Sequence, residues 1–246
     1  MKISIITICF NSKAFIQDAL DSFFSQDYHN KELVVIDGGS TDGTKEILDN
    51  NQDKFGFYCS EKDEGLYDAL NKGIEKAKGE VIGILHSDDL FASSQVFSEV
   101  INAFSKDVDA VYGDLNYVKE DGETIHRKWI SGLYKKGLFQ KGWMPPHPTF
   151  YCRRGVFHRF GKYNTEFKLA ADYELMLRFI EKEGISLKYI PEVLSLMRVG
   201  GASNFSLKNR LTANKEDALA WKVNSLDSPV GFRLFKPLSK LKQFLS

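Results

Sequence analysis

The sequence predicts an α/β fold, a Rossmann-like and mostly parallel sheet with helices on both faces. Three observations lead to this prediction. Strand and helix patterns alternate along the first hundred residues. The strand patterns are continuous apolar runs, which are typical of strands buried on both faces. The composition, with 43% apolar and 27% charged residues among 246, is that of a globular chain that can fill one core.

The first four strand and helix pairs follow in order. Residues 3–8, ISIITI, predict the first strand, and Asn11 with Ser12 provides N-cap chemistry for a helix over 14–26. Further strands are predicted at 32–37, 55–61 and 80–89, and further helices at 44–51, 66–79 and 93–105. In such a sheet, ligands bind outside the carboxyl ends of the strands. The polar stretches that end the strands therefore form one rim, at 7–11, 37–42, 61–65 and 86–89.

The alternation stops near residue 105. A hairpin around Asp121 and Gly122 is followed by a loop-like stretch with two adjacent prolines. A helix at 170–184, strands at 187–190 and 192–198 and a loop at 198–204 complete this part. We expect one domain over 1–205, with halves at 1–105 and 106–205, and a helical C-terminal extension over 206–246.

Charge and cysteine usage exclude several classes. The 33 basic and 33 acidic residues cancel, so no global field draws the chain to nucleic acid. Cys9, Cys59 and Cys152 are far apart and the N-terminus lacks a signal-peptide pattern, which favours a reducing, cytoplasmic location. No apolar run is long enough to cross a membrane. Membrane contact would therefore be peripheral.

The predicted rim is acidic. It lacks the GxGxxG and GxxxxGK[ST] phosphate motifs and carries Asp37, Asp42, Asp63, Glu64, Asp68, Asp88 and Asp89. Asp88 and Asp89 are adjacent and flanked by apolar residues, and both features disfavour their charged forms. A hard divalent cation that arrives with a nucleotide diphosphate is the most economical explanation of this pair.

Five motifs in register carry a resemblance to a known family. The stretches SIITICFN, VVIDGGSTDGT, EKDEGLYDALNKGI, ILHSDD and AADYELMLR resemble family 2 glycosyltransferases with the GT-A fold, which are inverting enzymes that use nucleotide sugars. The resemblance covers residues 1–205. It is closest to bacterial members that assemble capsule, O-antigen and exopolysaccharide, in particular the colanic acid type.

The resemblance implies roles for ten residues. Those expected to contact the nucleotide sugar are Thr7 and Asn11 beside the nucleoside, Asp37 at the base edge, Asp68, Asn71 and Lys72 over the base, His86, and Asp88 at the ribose. Asp89 would ligate Mg²⁺ or Mn²⁺ on the diphosphate, and Asp172 would be the general base. The physical basis of the last two roles is general: a cation stabilises the leaving diphosphate, and a carboxylate accepts the proton of the attacking hydroxyl.

The sequence departs from the family pattern at three positions. The acidic motif is Ser87-Asp88-Asp89 rather than a strict DxD, so metal ligation depends most on Asp89. His86 stands where close relatives often have asparagine. Ala171 stands where many members have a glutamate, which leaves Asp172 as the one candidate base of that pair.

Structural explanations compete with these roles. Asp88 and Asp89 could cap a helix, and Asp37 could start a glycine-rich turn. Asp172 could stand at the start of a helix only because the helix dipole favours an acid there. His147 could touch the donor diphosphate or the acceptor, or be structural. The loop with Arg198, Gly200 and Gly201 could order over the donor or be a plain turn. The basic, apolar tail at 231–246 could be an amphipathic membrane anchor or a helix docked on the protein.

We therefore expect a metal-dependent inverting glycosyltransferase of the hexosyltransferase type. We expect its donor to be a nucleotide-diphosphate sugar, with UDP as the nucleotide, and its acceptor to be a saccharide or lipid-linked oligosaccharide on a polyprenyl diphosphate. The alternatives are a nucleotidyltransferase, which usually carries a basic glycine-rich loop that ICFNSKAF lacks, and a non-catalytic nucleotide-sugar-binding relative.

Overall fold

The computed structural model describes residues 1–199 and 207–228. Its first half is a parallel sheet of β1 (Ile3–Cys9), β2 (Lys31–Asp37), β3 (Phe57–Ser60) and β4 (Val81–Ile84), in the order β3-β2-β1-β4. The strands are linked through α1 (Ile16–Phe24), α2 (Thr44–Asp49) and α3 (Leu66–Lys76). The carboxyl ends of β1, β2 and β3 therefore face the same rim, as predicted.

The second half of the sheet is mixed. Its strands are β5 (Leu90–Phe91), β6 (Ala110–Val118), β7 (Ile125–Trp129), β8 (Tyr151–Arg153) and β9 (Leu187–Arg198). The sheet continues in the order β4-β8-β6-β9-β5, with β7 paired to β6. β8 is antiparallel to β4 and β6, whereas β9 is parallel to β6. The remaining helices are α4 (Val96–Ala103), α5 (Arg154–Phe160), α6 (Ala171–Leu177) and α7 (Leu207–Val223).

Helices cover both faces of the sheet, which confirms the predicted fold class. Alternate side chains of β1 enter different cores: Ile6 packs with α3 and α6, and Ile5 packs with α1 and α4. Gly73 of α3 lies directly on Ile6, and a Cβ there would be 2.4 Å from the Ile6 Cγ2. The absence of a side chain at this position lets α3 lie close against the sheet.

Two elements differ from the expectation. β4 ends at Ile84, and residues 86–89 form a turn in which the Asp89 N–H donates to the His86 carbonyl at 3.1 Å. The strands expected on either side of Pro191 are one strand, because a bulge places three residues of β9 opposite Gly113. No helix within residues 1–199 or 207–228 is long and apolar enough to cross a membrane. Gly200, Gly201 and the tail at 231–246 lie outside the described residues.

Candidate functional site

The turn after β1 is fastened to the turns after β2 and β4. Asn11 adopts a left-handed conformation with φ of 51°. Its side-chain oxygen accepts the Thr41 N–H at 2.9 Å, and its own N–H donates to the Ser40 hydroxyl at 2.8 Å. The Ser12 and Ser87 hydroxyls are 2.8 Å apart. These bonds bring three of the predicted strand ends together at one rim.

Asp37 organises the end of β2. It is fully buried, and its carboxylate accepts the hydroxyls of Ser40 at 2.5 Å and Ser60 at 2.6 Å and the Ser40 N–H at 3.1 Å. Thr7 is also fully buried, and its hydroxyl has no hydrogen-bond partner among the residues described. The Thr7 hydroxyl therefore retains hydrogen-bonding capacity for a ligand, while the Asp37 oxygens are already engaged.

Two side chains that the sequence reasoning did not single out for binding stand at this rim. The Phe10 ring is 63% exposed. A carboxylate oxygen of Asp63 lies 2.8 Å from the point where a Cβ on Gly38 would be. An exposed aromatic face beside a carboxylate offers stacking and hydrogen bonding to a planar base. The signal in the sequence was the phenylalanine directly after an otherwise buried strand.

The three α3 residues predicted to cover the base are all engaged by protein groups. Asn71 exchanges two hydrogen bonds with the backbone of Tyr163, each 2.9 Å. Lys72 lies 3.1 Å from Glu61 and 3.3 Å from Asp68. The Asp68 carboxylate also accepts the Glu64 N–H. Asn71 therefore ties α3 to the segment after α5, and Asp68 and Lys72 form a partly exposed ion-pair cluster at the rim.

Asp89 is an unsatisfied buried carboxylate. It is 1% exposed, and neither of its oxygens has a hydrogen-bond partner in the described chain. Burial and the neighbouring Asp88 raise the pKa of Asp89 well above its ordinary range, and the backbone and then the positive charge of Arg198 oppose this shift only in part. An oxygen donor pair held in this way is suited to a hard cation.

Arg198 holds the acidic turn in place. It is 4% exposed and donates to the Asp88 carbonyl at 3.1 Å, the Glu120 carbonyl at 3.0 Å and the Asp18 carboxylate at 2.6 Å. Its guanidinium also lies 4.9 Å from the centroid of the Phe15 ring. One side chain at the end of β9 thus links the turn that carries Asp88 to α1 and to the β6–β7 hairpin.

The protein alone provides an incomplete metal site. Within the described ranges no group of three or more His, Cys, Asp or Glu side chains could hold a metal ion. The unpartnered Asp89 oxygens nevertheless fit a divalent cation, with Asp88 next to them. Such a cation would need further oxygen ligands, which diphosphate oxygens and water could supply.

Asp172 lies in the first turn of α6, where the helix dipole favours a carboxylate. The Tyr67 hydroxyl donates to an Asp172 oxygen at 3.4 Å. Ahead of α6, Glu216 of α7 accepts the N–H groups of residues 168, 169 and 170 at 3.1, 2.8 and 2.9 Å. The C-terminal helix α7 therefore caps and positions the helix that carries Asp172.

His86, at the start of the acidic turn, lies beside a second histidine, His147. The His86 and His147 rings are 5.7 Å apart, and His147 Nε2 is 2.7 Å from the Tyr163 hydroxyl. Burial and His147 lower the pKa of His86 to about 4 against opposing effects of Asp88 and Asp172, and burial lowers that of His147 to about 4. Both rings are therefore neutral at pH 7. The Tyr163 ring is 5.7 Å from the ring of Tyr67, which donates to Asp172, so a continuous row of side chains joins His86 to Asp172.

Comparison with known proteins finds a matching family and similar chains. The model of the family described as glycosyl transferase family 2 matches residues 4–161. An uncharacterized glycosyltransferase of Mycobacterium tuberculosis is 31% identical over 186 residues, which are 72% of this chain and 68% of the relative. A PGL/p-HBAD biosynthesis glycosyltransferase of Mycobacterium bovis is 29% identical over 208 residues, 82% of this chain and 78% of the relative.

Solved structures of low sequence identity share the fold. Staphylococcus aureus TarS 1-349 in complex with UDP matches with a TM-score of 0.67 and 18% identity, over 100% of this chain and 71% of TarS 1-349. The mannosyltransferase PcManGT of Pyrobaculum calidifontis, in complex with GDP-Man and Mn²⁺, matches with a TM-score of 0.67 and 20% identity, over 99% of this chain and 69% of PcManGT. The two complexes contain different nucleotides, so the shared fold leaves the base open.

Proposed function

The chain belongs to glycosyl transferase family 2, and we propose that it is a metal-dependent inverting enzyme that transfers a sugar from a nucleotide diphosphate to a saccharide acceptor. The observation that carries this proposal is that one row of side chains connects the acidic turn, with the unpartnered Asp89, to Asp172 at the start of α6. The row runs from His86 through His147, Tyr163 and Tyr67. Transfer needs one carboxylate that holds a cation at the leaving diphosphate and another that accepts the proton of the attacking hydroxyl.

The donor would lie along the rim formed by β1, β2 and β4. We propose that the base stacks on Phe10 and that Asp63 and the Thr7 hydroxyl contact the nucleoside, with Asn11 and Asp37 shaping the turns that hold it. The diphosphate would lie at Asp88 and Asp89. A divalent cation bound there, Mg²⁺ or Mn²⁺, would neutralise the diphosphate and stabilise the charge that develops on the leaving oxygen.

The chemical step transfers one proton and exchanges one bond. The acceptor hydroxyl oxygen attacks the anomeric carbon, the bond from that carbon to the diphosphate breaks, and the Asp172 carboxylate accepts the hydroxyl proton. Attack from the face opposite the leaving group inverts the anomeric configuration. Tyr67, at 3.4 Å from Asp172, orients the carboxylate, and the neutral His86 and His147 line the space without adding charge.

The finer assignments are parts of the proposal. Residues 1–105 would bind the nucleotide and 106–205 the acceptor, with 206–246 as the C-terminal extension. A UDP-sugar donor, a polyprenyl-diphosphate-linked acceptor and a role in bacterial surface polysaccharide synthesis follow from the motif resemblance. The relative named for PGL/p-HBAD biosynthesis supports a glycoconjugate acceptor. We place the enzyme in the cytoplasm at the inner face of the plasma membrane, with the tail at 231–246 as a candidate anchor.

A nucleotide panel tests the donor proposal. The melting temperature is measured with UDP, GDP, CDP and TDP, each with and without Mn²⁺, because a ligand that binds only the folded state stabilises it. One diphosphate should raise the melting temperature of the wild type in the presence of Mn²⁺ and fail to do so with Asp89→Asn. If no diphosphate stabilises the protein under any condition, the proposal is wrong.

A product analysis tests the transfer itself. Nucleotide sugars with the selected base are offered with mixtures of lipid-linked acceptors, and products are identified by mass spectrometry. A product heavier by one sugar, formed together with the free nucleoside diphosphate, is the expected result. Release of a sugar 1-phosphate with transfer of the nucleoside monophosphate would instead indicate a nucleotidyltransferase.

A further inference from the structure

One short segment of the chain is strongly basic and also exposes several apolar side chains to solvent. Residues 125–141, IHRKWISGLYKKGLFQK, contain Arg127 and four lysines and no acid, although the whole chain is neutral. We call these residues the basic segment. It consists of β7 and the connection that follows it, up to a short 3₁₀ turn at Phe139–Lys141.

The basic segment concentrates exposed apolar surface. Of the seven large apolar side chains that are exposed in the described part of the chain, three lie here: Ile125 at 50%, Ile130 at 59% and Leu133 at 70%. Lys128, Lys135 and Lys136 are exposed within the same stretch. Scattered exposed apolar residues are ordinary on protein surfaces, but their concentration in one short stretch that also exposes three lysines favours an interaction site.

The backbone around these side chains is held by hydrogen bonds. The Ser131 N–H donates to Asp114 at 2.8 Å, the Tyr112 hydroxyl donates to the Gly132 carbonyl at 2.8 Å, and the Tyr134 N–H donates to the Tyr112 hydroxyl at 2.8 Å. Gly132 adopts a φ of 67°, which allows a sharp change of direction between Ile130 and Leu133. The connection is thus pinned to the core on both sides of Gly132, while Leu133 is directed to solvent.

The basic segment adjoins the catalytic rim. Tyr117 of β6 pairs with Arg127 of β7 on one side and with Met197 of β9 on the other. The Arg127 guanidinium lies 3.9 Å from the centroid of the Tyr117 ring. β5 is antiparallel to β9 and Leu90 pairs with Leu196, so Asp89, one residue before Leu90, is level with Met197. Strands are about 5 Å apart, so this row places Arg127 within roughly 15 Å of Asp89.

We propose that the basic segment is a membrane-contact surface that docks on anionic lipid. Exposed Leu133 and Ile130 would enter the headgroup boundary, and the lysines beside them would interact with anionic headgroups. Charge complementarity selects this partner over the protein's own tail, because residues 229–246 carry Arg233, Lys236, Lys240 and Lys242 and no acid. Two basic segments repel each other, whereas both are attracted to an anionic bilayer.

The proposal goes beyond sugar transfer and is tested without donor or acceptor. Full-length protein is floated with vesicles of phosphatidylcholine, or of phosphatidylcholine mixed with phosphatidylglycerol. Wild type should bind the mixed vesicles more tightly. Lys135→Gln with Lys136→Gln should weaken this binding by roughly twentyfold, about fivefold for each lysine. Ile130→Ser with Leu133→Ser should weaken it by about tenfold or more.

Matched controls separate this surface from general effects. Lys106→Gln with Lys182→Gln removes the same charge from other exposed positions, and Leu219→Ser with Val223→Ser removes apolar side chains that are 41% and 43% exposed on α7. Both controls should bind like the wild type. If the two basic-segment variants bind as tightly as the controls, or if wild type prefers neither vesicle, the proposal is wrong.

A site-specific probe locates the contact even where the tail also binds. Leu133→Cys is labelled with a polarity-sensitive fluorophore in a Cys59→Ser background, since Cys9 and Cys152 are buried. Its emission should shift to the blue on mixed vesicles, whereas the same label at Leu219→Cys should not respond. Flotation without a shift at position 133 would assign membrane binding to another part of the chain. A vesicle-binding protein that fails the nucleotide panel would refute the transfer proposal alone.

Discussion

Replacement of Arg198 by methionine tests whether one buried cation holds the acidic turn. Arg198→Met keeps an unbranched side chain over Phe15 but removes the donors to the carbonyls of Asp88 and Glu120 and to the Asp18 carboxylate. The two carbonyls lose charged donors at about 1–2 kcal/mol each. The pair with Asp18 contributes about 1 kcal/mol or less, because that carboxylate is 54% exposed and is readily rehydrated.

The sum is a loss of about 2–5 kcal/mol in the free energy of unfolding. For a chain of this length, 1 kcal/mol corresponds to roughly 2–4 °C in melting temperature, so we expect a decrease of roughly 4–20 °C. The assay is a thermal melt with and without Mn²⁺ and the selected nucleoside diphosphate. Loss of Arg198 also removes the positive charge that favours ionised Asp89, so the ligand-dependent increase should be smaller than in wild type.

Arg159→Met is the matched control. Arg159 is exposed, and its guanidinium lies 4.6 Å from the centroid of the Phe160 ring, a contact worth about 1 kcal/mol or less. If Arg198→Met melts at the same temperature as this control and retains the full ligand-dependent increase, Arg198 does not hold the turn and the reasoning is refuted.

Three further predictions concern the surrounding groups. His86 and His147 have folded pKa values lowered from 6.5 to about 4, so the stability that their neutral rings provide is complete above pH 6.5 and is lost as the pH falls towards 4. Chemical unfolding should show that the free energy of unfolding decreases across this range. His147→Phe should make this pH dependence shallower. Asn71→Ala breaks two hydrogen bonds to the Tyr163 backbone and should cost about 1–3 kcal/mol in urea unfolding with unchanged donor affinity. Glu216→Gln weakens the cap ahead of α6 and should lower kcat by about tenfold at constant donor KM in steady-state kinetics.

Each of these has a clear contrary result. A pH dependence that is identical in His147→Phe and wild type would assign the slope to other groups. Loss of donor affinity in a stable Asn71→Ala protein would return Asn71 to the nucleotide site. A Glu216→Gln enzyme with unchanged kcat would show that α7 is not needed to position the base.

The sequence was sufficient for the parallel half of the fold because its signals are local. Runs such as ISIITI and ELVVID are typical of strands buried on both faces, and the polar ends of parallel strands meet at one rim. The end of β4 could not be predicted in this way. The apolar run continues past Ile84, whereas the pairing of β4 with β1 ends there. Pro191 likewise suggested a break, whereas tertiary pairing with β6 accommodates it as a bulge.

The candidate site was only partly predictable, since contacts between distant segments decide it. Asp89 and Asp172 stood out in the sequence as acids at the start or end of elements. The structure places Asp89 in the turn with His86 and bonds Asp172 to Tyr67. Nothing in the sequence indicated that Arg198 would bond to the Asp88 carbonyl, 110 residues away, or that Glu216 would cap the helix of Asp172. Such partners are defined by the sheet order and by the packing of α7, which no local pattern encodes.

The most direct test of the central assignment is turnover of wild type, Asp89→Asn and Asp172→Asn with one donor and acceptor pair, together with donor binding by each. We predict that both variants lose at least about a hundredfold in turnover. Asp172→Asn should still bind the nucleoside diphosphate in a Mn²⁺-dependent way, and Asp89→Asn should not. Turnover near the wild-type rate in both variants would contradict the assignment of these two acids.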